Sequence, residues 1–199
     1  AIAYLESARA RPNLTIQAGC TVHRICGEGR LLGFGEVSFS DGKRQAIFGK
    51  RMTLCAGTIN TAPILLRSGV GHSALCRSLN IVPVIDLPGV GENLVDHPAI
   101  MLWMTPVPGS SQQAQLGHQI MARAASNPAQ MQDLNLFALS NFDTRTVPML
   151  SQLLKTPLAN AISVVLTHPA SRGRVFLENA APGSKPVIDR SRLDLPAPL

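Results

Sequence analysis

Gly57-Thr58-Ile59-Asn60-Thr61-Ala62-Pro63-Ile64-Leu65-Leu66-Arg67-Ser68-Gly69-Val70-Gly71 carries the densest structural signal in this sequence. Just before it, Met52 to Cys55 reads as a short buried strand that ends on two small residues, Ala56 and Gly57. Asn60 to Arg67 then has helical spacing, and Gly69 supplies a C-terminal cap. The unit is strand, turn, helix. Small residues at such a turn let backbone approach a ligand closely, and the helix start presents free N–H groups and the positive dipole end that favour an anionic cofactor. The plain alternative is an ordinary strand-to-helix turn with a Gly-capped helix.

Upstream, Ile2, Leu5 and Ala8 recur at helical spacing until Pro12, so the chain opens on the end of a helix whose start is missing. Two apolar runs follow, Leu14 to Ala18 and Thr21 to Cys26. The glycines of Gly27-Glu28-Gly29 suggest a turn. Leu31 to Phe39 and Gln45 to Phe48, joined through Ser40-Asp41-Gly42-Lys43, predict a hairpin with an Asp-Gly turn, and so a small antiparallel sheet. Downstream, His72 to Leu79 reads as a helix and Pro83 to Asp86 as extended, before the loop Leu87 to Gly91. From Pro98 onward strand-like runs (Ala99 to Pro106, Leu134 to Ser140, Ala161 to Thr167, Arg174 to Leu177) alternate with a Gln- and Ser-rich loop and a helix around Pro148 to Lys155. The sequence therefore predicts a mixed α/β fold in two parts, 1–97 and 98–199, with an interrupted end over Asp194 to Leu199.

Of 199 residues, 45% are hydrophobic and 15% charged, a balance that suits a globular chain. Eighteen Lys and Arg against twelve Asp and Glu give a net charge of +6. The basic residues are not clustered, and with one Trp and one Tyr for stacking, nucleic acid is not an expected partner. No apolar run is long enough for a membrane-spanning helix. Cys20, Cys26, Cys55 and Cys76 form no C-x-x-C pair, and three of them lie in apolar patterns, so buried reduced thiols and a cytoplasmic protein are expected.

The Gly57 to Gly71 stretch resembles the second signature of the glucose-methanol-choline (GMC) oxidoreductases, with its small-residue turn, Asn-Thr pair, aliphatic run and Ser-Gly-aliphatic-Gly close. Three further stretches resemble the same family in the same order: Arg11-Pro12-Asn13-Leu14-Thr15-Ile16 with Val22 and Arg24, then Leu87-Pro88-Gly89-Val90-Gly91-Glu92-Asn93-Leu94-Val95-Asp96-His97-Pro98, and Ser171-Arg172-Gly173-Arg174-Val175 with Pro186-Val187-Ile188-Asp189. Together they cover almost the whole chain. One departure is that the family's proline stands at Pro63 rather than at position 62, and either place suits the first turn of the expected helix. The resemblance implies FAD as cofactor and a small-molecule alcohol as substrate, oxidised by hydride transfer to the flavin while a histidine takes the hydroxyl proton. It implies a partial flavin-binding, Rossmann-like domain in 1–97 and part of an antiparallel-sheet substrate domain in 98–199. It places the backbone of Val22 against the adenine and the Ala56-Gly57 turn near the same cofactor.

Neither of two expected chemical parts is found in the sequence. A dinucleotide phosphate loop needs G-x-G-x-x-G after a first strand; Gly27-Glu28-Gly29 is followed by Gly33, one residue late, and Gly89-Val90-Gly91 by Leu94. His97 beside Asp96 invites a role as base. Neighbours on an extended chain point opposite ways, however, and the family's base lies near the C-terminus, so no catalytic residue is assigned and His97 is read as structural. His23, His72, His118 and His168 are scattered and no metal site is expected; no G-x-S-x-G frame suggests a serine hydrolase. The expectation is an inactive internal piece of a flavin-dependent alcohol oxidoreductase. Alternatives are a non-catalytic interaction module descended from one, or another Rossmann-like enzyme such as a nicotinamide dehydrogenase, which lacks a supporting glycine fingerprint.

Overall fold

A computed structural model describes residues 2–28, 31–110, 117–129 and 132–190. In chain order its elements are α1 (Ile2–Leu5), β1 (Cys20–Glu28), β2 (Leu31–Phe39), β3 (Arg44–Phe48), α2 (Gly57–Arg67), β4 (Val70–Gly71), α3 (Ser73–Ser78), β5 (Ile85–Asp86), β6 (Glu92–Leu94), β7 (Ala99–Met104), β8 (His118–Ala124), β9 (Leu134–Asp143), α4 (Pro148–Leu154), β10 (Leu158–Leu166), β11 (Gly173–Phe176) and β12 (Val187–Asp189). No helix among the described residues is long and apolar enough to cross a membrane.

The chain divides into two compact units, one of 1–94 with 172–199 and one of 95–171. The sequence suggests a single change of domain near residue 97. The chain instead crosses twice, because β11 hydrogen-bonds antiparallel to β6 on one side and to β12 on the other. The described residues 172–190 thus return to the first unit.

In that unit β1, β2 and β3 form the expected antiparallel sheet. Its β2–β3 turn closes with the Gly42 N–H donating to the Phe39 carbonyl, Asp41 accepting the Lys43 N–H, and Gly42 at φ +83°. Gly27 and Glu28 belong to β1 rather than to a turn, and Gly29 lies outside the described residues. The β1–β2 register shifts between Val22 and Arg24, a bulge that turns His23 inward. His23 is 8% exposed, with Nε2 2.7 Å from Ser38 Oγ and Nδ1 3.3 Å from the Pro182 carbonyl.

Helix α2 packs on β1 and β11, and Leu66 joins Leu79 and Leu177 in the core. It starts at Gly57, three residues earlier than its spacing predicts, so Pro63 sits inside the helix rather than in its first turn. Proline has no N–H to give the carbonyl four residues back, and Pro63 is buried in the helix. Met52–Cys55 is not a buried strand. A strand needs a partner ladder, no described strand pairs with it, and Met52, Thr53 and Cys55 are exposed. Leu14–Ala18 is likewise exposed and irregular. Of the cysteines Cys76 is buried, Cys20 and Cys26 are half-buried, and Cys55 is exposed; all four are free. Parallel pairing among the described strands is confined to β4 and β5.

The second unit is built on one antiparallel sheet in the order β7-β10-β9-β8. Strand β8 falls where the sequence suggests loop, because its polar and apolar residues alternate too weakly to register. Across this sheet Leu102, Ile162, Ala138 and Ile120 stand in register, and all four are exposed. Ala161, Ser163 and Leu139 are buried. Asp133 anchors the β8–β9 connection: its carboxylate accepts the Ser126 N–H and hydroxyl, both at 2.7 Å, and its carbonyl accepts the Thr167 N–H at 2.7 Å.

The Ser126 N–H, then its hydroxyl, hold the Asp133 carboxyl below the usual carboxylate range. A carboxyl whose folded pKa is depressed adds stability above its unfolded pKa of about 4, and that contribution fades as pH falls through the folded value. Asp133→Asn is therefore expected to be less stable than the parent at pH 7, with the gap shrinking as the pH approaches about 2. Trp103, the single tryptophan and a β7 residue, reports unfolding of this unit by fluorescence in urea. An equal gap at both ends of the pH range refutes the assignment.

Candidate functional site

Three faces meet in a groove of about 470 Å³. The start of β1 contributes Cys20, Thr21 and Val22; α2 contributes Asn60, Pro63, Ile64 and Arg67; the returning segment Pro182–Pro186 forms the third wall. The four α2 residues share one face because i, i+3, i+4 and i+7 positions align on a helix. Ala56 lines the groove as well, at the N-cap of α2.

Of the three sequence-predicted cofactor residues, Val22 and Ala56 line this one groove. Gly57 is the first residue of α2, at φ +82°, and a Cβ placed on it would meet nothing within 4 Å. Its glycine is needed for the left-handed backbone that turns the chain into the helix, not for close packing. Ala56 makes no side-chain cap, so its side chain satisfies none of the first N–H groups of α2. The bulge after Val22 interrupts the β1–β2 ladder beside the same groove.

Spacing alone could not find Arg67 or Lys185. Arg67 lies 45 residues from Val22 in sequence, and Lys185 arrives only with the returning segment. Arg67 Nη2 donates to the Ser184 carbonyl at 2.6 Å, while its Nε is buried with no acceptor. Behind it lies a second cavity of about 460 Å³, bordered by His23, Arg24, Glu36, Arg44, Ser68 and Asn80 among others. There Glu36 bridges two strands, accepting from Arg24 Nε at 2.7 Å and Arg44 Nη1 at 3.4 Å. Arg24 first, and Arg44 to a lesser extent, lower the Glu36 pKa. Ser68 fixes α2 to the sheet: its Oγ donates to the Ile64 carbonyl at 2.6 Å and accepts the Ile25 N–H at 2.8 Å.

His97 and Asp96 are exposed, and the Asp96 carboxylate accepts the backbone N–H of His97 at 3.0 Å. A carboxylate spent this way orders the loop.

Residues 1–99 match the family model described as GMC oxidoreductase. The chain is similar to an uncharacterised GMC-type oxidoreductase of Rhodococcus erythropolis, 32% identical over 189 residues that make up 94% of this chain and 36% of that protein. It is also similar to an oxygen-dependent choline dehydrogenase of Ectopseudomonas mendocina, 46% identical over 98 residues, 47% of this chain and 17% of the relative. Among solved structures it resembles pyridoxine 4-oxidase from Mesorbium loti, with a TM-score of 0.75, 26% identity, and coverage of 94% of this chain and 37% of that one. A formate oxidase of Aspergillus oryzae shares the fold at a TM-score of 0.79 and 20% identity, over 92% of this chain and 41% of the other. The chain thus spans little more than a third of the relatives it matches along most of its length. The family match over residues 1–99, with signature and groove in one place, makes this chain a member of the glucose-methanol-choline oxidoreductases, a family of FAD-dependent enzymes.

Proposed function

We propose that this chain forms part of an enzyme that binds FAD and oxidises the CH–OH group of a small alcohol, and that the groove at Val22 and Ala56 holds the adenine end of the cofactor. The observation that carries this reading is the groove itself: an uncapped helix start, an interrupted strand and a glycine turn converge there, and two cations and no acid line it. Those features fit an anionic dinucleotide. When bound, FAD supplies the acceptor for the hydride leaving the alcohol carbon.

On this reading the Rossmann-like part of the fold is the unit containing α2, β4 and β5, and the antiparallel sheet of 95–171 supplies a wall of the substrate pocket. The exposed apolar row Leu102, Ile162, Ala138 and Ile120 suits such a wall. The base that takes the hydroxyl proton is assigned to no residue of this chain. Cytoplasmic residence is part of the proposal and rests on the four free thiols.

The 199-residue chain by itself is expected to show no FAD-dependent alcohol oxidation, and measurable turnover by the purified chain refutes this. In the complete enzyme expressed from the flanking coding sequence, Ala56→Leu fills the groove beside the α2 start. Its FAD affinity is expected to fall about tenfold or more, equivalent to at least ~1.4 kcal/mol. Unchanged flavin content after dialysis counts against the assignment. The same apolar row also suits a non-catalytic interaction module, which gel filtration distinguishes by a well-folded monomer or a stable oligomer of the chain alone.

A further inference from the structure

Arg67 borders both cavities, and its charge is unmatched among the described residues. Among the described residues no carboxylate pairs with it, and of its donors Nη2 alone is used, on the Ser184 carbonyl. Nε is buried without an acceptor. In the second cavity the lining acid is Glu36, whose two oxygens already serve Arg24 and Arg44. In the groove Arg67 is joined by Lys185, and no acid lines that space. Lys185 follows the residue whose carbonyl Arg67 holds, so the two residues adjoin in the wall of the groove.

A half-buried cation without a counter-charge is costly, and burial pulls the Arg67 pKa below its ordinary value. The C-terminal end of α2 offers at most about half a negative charge, which leaves the pair strongly positive. A guanidinium fork binds planar or tetrahedral oxyanions through paired N–H bonds, and a nearby ammonium adds a point charge.

We propose that the Arg67–Lys185 wall of the groove is an oxyanion site that takes a phosphate or carboxylate group. Two sources share this chemistry, a free anion and the phosphate of a nucleotide lying in the groove. The site is defined by side-chain charge, whereas the flavin reading is defined by backbone at Val22 and Ala56, so either can fail alone.

Calorimetric titration of the chain at constant ionic strength with inorganic phosphate, ADP and adenosine tests it. Phosphate, ADP or both are expected to bind, and Lys185→Gln and Arg67→Gln are each expected to weaken that binding about tenfold, the scale of one charge-assisted contact. Lys185 is exposed, so Lys185→Gln folds regardless of what happens at Arg67. Binding of phosphate alone identifies a free-anion site; binding of ADP without phosphate identifies a nucleotide phosphate. Adenosine should bind parent and variants alike. Failure of both phosphate and ADP to bind, or parent-like affinity in Lys185→Gln, overturns the proposal. Phosphate binding with the expected losses, but no binding of adenosine, leaves the oxyanion site standing and counts against the placing of the adenine at Val22 and Ala56.

Discussion

Gly69→Ala is expected to destabilise the first unit by about 2–5 kcal/mol, combining a left-handed backbone cost of about 1–2 with overpacking of about 1–3. Gly69 follows the C-cap of α2 at φ +76°, with its N–H donating to the Leu66 carbonyl. A Cβ there would stand 2.3 Å from the Val82 carbonyl oxygen and 3.1 Å from the Val84 nitrogen. Both are backbone, and backbone cannot turn aside as a flexible side chain can. The Gly69 carbonyl also accepts the N–H groups of Val84 and Ile85, so displacing it disturbs the β4–β5 pairing. Gly57→Ala is the control: φ is +82°, yet the space around its Cβ is open, and only the backbone cost of about 1–2 kcal/mol should appear. Urea unfolding followed by circular dichroism measures both, and equal losses for the two variants contradict the steric account.

Leu66→Ala is expected to cost about 2–5 kcal/mol, because Leu66 is wholly buried and joins Leu79 and Leu177 in the core cluster. A Cβ added to Gly71 would lie 2.5 Å from Leu66 Cδ2, the far end of that same side chain. The two positions therefore compete for one volume. Gly71→Ala alone should destabilise, but in the Leu66→Ala background it should destabilise less, by roughly 1 kcal/mol or more. Strict additivity of the two losses in the same urea assay shows that the core relaxes independently of Gly71.

On the proposed reading, the groove joins fold and function in one signature. Gly69 and Gly71 close α2 against the core, while Asn60, Pro63 and Arg67 on another face border the groove. A helix presents both faces at once, so substitutions toward the core and toward the groove are expected to have separable consequences: the former change unfolding free energy and the latter, on the proposed reading, ligand affinity.

Local chemistry determined a good part of this protein. The Asp41-Gly42 hairpin, the Gly69 cap, α4 behind Pro148 and the strands around 99, 134 and 161 all follow from turn preferences and apolar spacing acting over a few residues. So does the family resemblance, because it rests on contiguous motifs. Long-range pairing settled the rest. Met52–Cys55 has strand composition but no described partner, and it remains irregular. The β11 return moved residues 172–190 into the first unit through hydrogen bonds to β6, more than 75 residues away, which no local pattern encodes. That return also completed the groove: Val22 and Ala56 were legible as motif residues, but Arg67 acquired its neighbour Lys185 only when chain distant in sequence came to lie beside α2. Side-chain charge acts through space and spacing acts along the chain, so the backbone half of the site could be read in the sequence and its electrostatic half could not.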